Sequence, residues 1–103
     1  MMHRRLASLA ILAAASLALP AQADEAKLQK YGCVACHKLE GKMIGPGFKD
    51  IAAKYKGDPA AADRLAAKVR SGGSGVWGAM AMPPHPAVSD ADMKAMIAWI
   101  LAH

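Results

Sequence analysis

The sequence predicts an all-α fold of four to five short helices in one small domain. Three observations carry this. No strand-length run of alternating valine or isoleucine appears between residues 24 and 103. Alanine, lysine and leucine recur there at helical spacing between glycine and proline breaks. A chain of 103 residues has room for one domain at most.

Residues 1–23 read as a leader and not as part of that domain. His3, Arg4 and Arg5 form a basic start, Leu6 to Leu19 an apolar run, and Ala21-Gln22-Ala23 a small-residue cleavage site. The apolar run is shorter than the roughly 20 residues that span a bilayer, and Pro20 interrupts it. A secreted, soluble chain beginning at Asp24 is therefore expected, placed in the periplasm and not inserted in a membrane. Thirteen basic and 8 acidic residues give a formal charge of +5, but Arg4 and Arg5 leave with the leader. The lysines that remain, from Lys27 to Lys94, are scattered, with no arginine-rich run and no interleaved aromatics. That pattern argues against a nucleic-acid partner and for proteins with acidic patches.

The first helix is expected from about Asp24 into the cysteine motif, with Asp24 and Glu25 in the first turn where the helix dipole favours acids. Leu28 and Tyr31 are its core-facing residues. Beyond a loop containing Pro46, an amphipathic helix presents Phe48, Ile51, Ala52 and Tyr55, and Gly57 ends it. Asp58-Pro59 places a capping residue before a proline at a first helical position, opening a helix that Leu65 and Val69 continue to about Arg70. The run Ser71-Gly72-Gly73-Ser74-Gly75 stops it. Residues 76–88 include Pro83, Pro84 and Pro86 and read as a long extended or turning loop, which usually signals function. Ser89 with Asp92 resembles a capping box that opens a last helix. Met93, Met96, Ile97, Ile100 and Leu101 form its stripe, expected to pack on the first helix.

Cys33-Val34-Ala35-Cys36-His37 has the spacing of covalent haem attachment. Cysteines three apart share a helical face, so both thiols reach the vinyl groups along one side of a porphyrin while the adjacent imidazole meets the iron. A thioredoxin-like pair would need strands around it. A structural zinc would need four ligands, and outside the motif residues 24–103 offer only His85 and His103. A plain disulfide would leave His37 unexplained.

His37 leaves the opposite face of the iron open, and what fills it decides the function. Met82 is the first choice, since Pro83-Pro84 stiffens the backbone beside it and its thioether suits ferrous iron. Met80 and His85 remain alternatives at this point. Met93 and Met96 fall on the helix stripe and read as core, Met43 as a rim residue. The carbonyl of Pro46 is placed to accept a hydrogen bond from the second nitrogen of His37. Trp77 is expected to wall the haem and donate its indole N–H to a propionate, with Lys68 and Arg70 supplying charge to the same groups. Trp99 is assigned to the core.

With these residues in place the chain resembles the small bacterial class I cytochromes c of the cytochrome c-551 type over essentially all of residues 24–103. Three blocks carry the likeness: Gly32 to His37, Gly45-Pro46-Gly47-Phe48-Lys49-Asp50-Ile51-Ala52-Ala53-Lys54-Tyr55, and Gly75-Val76-Trp77-Gly78-Ala79-Met80-Ala81-Met82-Pro83-Pro84. The resemblance implies a cytochrome c fold wrapped around one haem c, with Cys33 and Cys36 as thioether anchors, His37 as proximal ligand and Met82 as distal ligand. It further implies Pro46 as the partner of His37 and Trp77 as a propionate donor. Lys68 stands where relatives can have arginine, and Ala79, Met80 and Ala81 depart from the family pattern around the ligand.

The expected function is one-electron transfer in a respiratory chain, not enzymatic catalysis, because a six-coordinate iron has no position free for substrate. The resemblance implies a membrane quinol-oxidising complex as donor and an oxidase, nitrite reductase or peroxidase as acceptor, met by a monomer. The competing reading is a haem protein with a labile sixth ligand, acting as a sensor or a peroxidase-like enzyme.

Overall fold

The computed structural model describes residues 20–103. Of the leader expected over residues 1–23, all but 20–23 lies outside the described residues, so the cleavage expected before Asp24 is an expectation about the precursor alone. The described residues form four α-helices and one two-stranded sheet.

The first helix, α1, spans Pro20–Lys30 and so starts before Asp24. Proline is tolerated at a first helical position and alanine is the strongest helix former, so the helix extends back over 20–23. Asp24 and Glu25 consequently lie beyond its first turn, contrary to expectation. Nor does α1 enter the cysteine motif. Gly32, at φ 76°, takes the left-handed conformation that glycine adopts without a Cβ clash and turns the chain into a separate 3-10 turn, Cys33–Ala35.

Helix α2 spans Phe48–Lys54 and buries Phe48, Ile51 and Ala52 as its pattern predicts, with Tyr55 half-buried beyond its end. Helix α3 spans Ala61–Ser71 and starts later than the Asp58-Pro59 signal suggests. The Asp58 carboxylate accepts from the Ala60 N–H at 2.9 Å and its carbonyl from the Ala61 N–H at 3.2 Å. That local turn, typical of aspartate, competes with the first helical turn and delays it.

The glycine-rich segment after α3 is an antiparallel hairpin, β1 (Gly73–Gly75) and β2 (Gly78–Met82), joined through Val76 and Trp77. Gly73 pairs with Met82 and Gly75 with Gly78, with an irregularity between the two pairs. This corrects the structureless loop expected over residues 76–88. Glycine has low strand propensity, so no local pattern announces the pairing.

Helix α4, Asp90–Leu101, is the keystone: it packs against α1, α2 and α3, not α1 alone. The Ser89 hydroxyl caps it, accepting from the Asp92 N–H at 3.1 Å. The Asp92 carboxylate turns to α1, accepting from the Tyr31 hydroxyl at 2.5 Å and lying 3.8 Å from the ammonium of both Lys27 and Lys30. Leu28, Phe48, Ile51, Val88, Met93, Met96, Ile97, Trp99 and Ile100 form one core cluster centred on α4.

Candidate functional site

A cleft of about 390 Å³ opens between the cysteine motif and the hairpin. Core residues Leu28, Met93, Met96, Ile97 and Ile100 form its floor. Cys33, Cys36, His37 and Pro46 line one wall, and Lys68, Trp77, Met80 and Met82 the other. Cys33, Cys36, His37, Pro46, Lys68, Trp77 and Met82 therefore meet in one cavity with the alternative ligand Met80, whereas His85 and Arg70 lie outside it.

The 3-10 turn replaces the α-helix expected at the cysteines, yet it keeps them together. Cys36 closes the turn, its N–H donating to the Cys33 carbonyl at 3.2 Å, and both cysteines line the cleft. Both are half-buried thiols, unbonded to each other, and burial pushes the Cys33 thiol above its ordinary range. Among the described residues no group of three His, Cys, Asp or Glu side chains stands together as a metal site, so the zinc alternative has no ligand set there.

His37 is held from several directions. Its Nδ1 lies 2.8 Å from the Pro46 carbonyl oxygen. A carbonyl only accepts, so Nδ1 carries the proton, which in the neutral ring leaves the lone pair on Nε2. The ring stacks on Phe48 at 5.5 Å and 25°, and Phe48 meets Trp99 edge-on at 5.7 Å. A Cβ at Gly45 would stand 2.5 Å from His37 Cε1, so this glycine is required by space. Three backbone bonds, Gly45 N–H to the Cys36 carbonyl, Phe48 N–H to that of Lys38 and Lys49 N–H to that of Leu39, clamp the loop against the motif. Sequence reasoning placed Phe48 only on a helix face and gave Gly45 no role. The glycines flanking Pro46 were the available signal, because paired glycines often mark a close approach.

On the opposite wall Met82 is half-buried and Met80 is 71% exposed. The backbone at Met82 is seated against the end of α3, where a Cβ on Gly72 would overlap the Met82 carbonyl oxygen and stand 2.8 Å from the Pro84 nitrogen. His85, the alternative ligand, does not line the cleft; its N–H donates to the Val69 carbonyl at 2.9 Å and its Nδ1 is buried. His103 also lies outside, its ring 4.1 Å from that of Trp99. Trp77 lines the cleft with the Lys54 ammonium 5.5 Å from its ring centroid. Lys68 folds over Gly73, but Arg70 is engaged elsewhere, donating to the Val88 carbonyl and to Asp90. Lys68 is thus available to an anion in the cleft, whereas Arg70 is spoken for.

Two thiols, an imidazole whose Nδ1 is engaged by a carbonyl, a thioether, apolar walls, a cation and an indole lining one cleft fit a covalently attached haem. The residues present match that group in donor chemistry and in polarity.

Known proteins give the same answer. A family model described as Cytochrome c matches residues 23–103. The cytochrome c-551 of Allochromatium vinosum is 52% identical over 88 residues, covering 85% of this chain and 94% of that protein. The cytochrome c-552 of Nitrosomonas europaea is 54% identical over 81 residues, 79% of each chain. A crystal structure of wild-type Nitrosomonas europaea cytochrome c552 superposes with a TM-score of 0.73 at 51% identity, covering 76% of this chain and 96% of that one. The chain belongs to the cytochrome c family, as a small class I electron carrier whose cofactor is covalently attached haem c.

Proposed function

We propose that the chain is a periplasmic one-electron carrier whose haem iron is ligated by His37 and Met82, with Cys33 and Cys36 as the thioether anchors. The observation that carries the ligation is the bond between His37 Nδ1 and the Pro46 carbonyl, which fixes the tautomer and leaves Nε2 as the donor nitrogen. When bound, haem supplies a reversible one-electron iron couple. The protein does the rest. His37 and Met82 would hold the iron together and leave it no place for substrate. The apolar floor excludes water, and Trp77 with Lys68 would hold the propionates.

Met82 is preferred to Met80 because its side chain is the more buried of the two and its backbone is fixed by Gly72 and by Pro83-Pro84. Among the described residues no helix is long and apolar enough to cross a membrane, which accords with export after removal of residues 1–23. The scattered lysines suit docking to acidic patches, with a membrane quinol-oxidising complex as donor and an oxidase, nitrite reductase or peroxidase as acceptor.

An optically followed redox titration of the holoprotein tests this. A single one-electron wave is expected, with a low-spin spectrum and the long-wavelength methionine–iron band in the oxidised form. A high-spin oxidised spectrum would refute the ligand pair and favour the sensor or peroxidase-like reading.

A further inference from the structure

The hairpin carries two thioethers on one wall of the cleft, and only one has been given a role. Met80 and Met82 are two residues apart on β2, so the strand directs both side chains to the same face. Both line the same cavity. We propose that Met80 is a standby axial-ligand site: its sulfur takes the iron when the sulfur of Met82 is unavailable. This rests on the reading above in which Met82 is the resident ligand.

Three features of the hairpin support it. First, its ends are held while its tip is exposed. The Gly72 N–H donates to the Lys68 carbonyl at 2.7 Å and the His85 N–H to the Val69 carbonyl, anchoring both strands to α3. Between those anchors Met80, Val76 and Trp77 are all exposed. Second, register is weakly specified. β1 consists of Gly73, Ser74 and Gly75, which offer almost no cross-strand packing, and the pairing is already irregular between Gly73 and Gly75. A shift of two residues along the strand keeps the same side chains facing the cleft, whereas a shift of one would turn them away. Third, the replacement is chemically like for like. Both groups are neutral thioethers on flexible, unbranched side chains, so the exchange needs neither a proton nor a change of charge.

Methionine substitution in the holoprotein tests the assignment. Met82→Leu is expected to keep a low-spin spectrum and a methionine–iron band, shifted in position, while Met80→Leu/Met82→Leu loses the band and turns high-spin. An independent readout is the reaction of free thioethers with iodoacetamide, mapped by mass spectrometry. Met80 is modified in the parent protein and becomes protected in Met82→Leu. A high-spin Met82→Leu protein with Met80 still reactive, beside a Met80→Leu protein that keeps its band, would overturn the standby site and leave Met82 as ligand. Loss of the band in Met80→Leu alone would overturn the Met82 assignment itself. Met82→Ala gives the hairpin more room to move inward, and failure of both Met82 variants to accumulate holoprotein would also count against the proposal.

Discussion

At the scale of single residues the site depends on how tightly the His37 imidazole is confined. The Pro46 carbonyl sets its tautomer, Phe48 covers one ring face, and Gly45 leaves no room beyond it. A methyl group at Gly45 must displace either the ring or the loop, and that loop is fastened to Cys36, Lys38 and Leu39 through its backbone. Gly45→Ala is therefore expected to lower the stability of the holoprotein by about 1–3 kcal/mol, the usual cost of overpacking, and to shift the Soret and methionine–iron bands. Unchanged melting and unchanged spectra would show that the ring has slack. Much of this site was legible in the sequence because its chemistry is local: the two cysteines, His37 and Pro46 lie within fourteen residues of one another. Phe48 and Gly45 were not read as part of it, because stacking and close approach are set by how the loop folds back. That the alternative ligand His85 lies outside the cleft was hidden for a related reason. A histidine between prolines gives no sign that its backbone N–H will reach the Val69 carbonyl.

At the scale of elements the structure turns on α4, whose hold on α1 joins the burial of Leu28 to polar contacts made by one carboxylate, Asp92. The hydrogen bond from Tyr31 is the main influence holding the Asp92 carboxyl below its ordinary range, aided by the charges of Lys30 and Lys27 and opposed by partial desolvation. Because the folded-state value is depressed, the stabilisation is complete above the ordinary carboxylate range, near pH 4 in an unfolded chain, and is lost as pH falls through the lower folded value. Asp92→Asn is thus expected to melt below the parent protein at neutral pH, with the two melting temperatures converging in acid. A gap that stays constant from neutral pH down to strongly acidic solution would show that Asp92 acts by shape or capping and not by charge. Helices α2 and α4 were legible because amphipathic spacing and a Ser89 cap are written in consecutive residues. The start of α3 and the hairpin were not. The first is decided by the competing Asp58 turn, and the second by strand pairing among glycines whose side-chain pattern is silent.

At the scale of the molecule the core and the cofactor site are one volume. Leu28, Met93, Met96, Ile97 and Ile100 belong to the core cluster and also form the floor of the cleft. A chain with so few core residues buries a modest apolar area, and small domains of this kind commonly need a bound group to be stable. Without haem the cleft above those five side chains is unfilled, so they lose the packing contacts the group would supply while the entropy cost of ordering the chain is unchanged. Helices α1 and α4 would retain the Tyr31–Asp92 contact, but one hydrogen-bonded contact does not offset an unfilled core. A Cys33→Ala/Cys36→Ala chain produced without haem is accordingly expected to show weak helical circular dichroism and no cooperative thermal transition, whereas the holoprotein melts sharply. A cooperative, native-like melt of the haem-free variant would show that the packing of α4 against the other three helices suffices, and that the prosthetic group is a guest in a prebuilt fold and not part of its core.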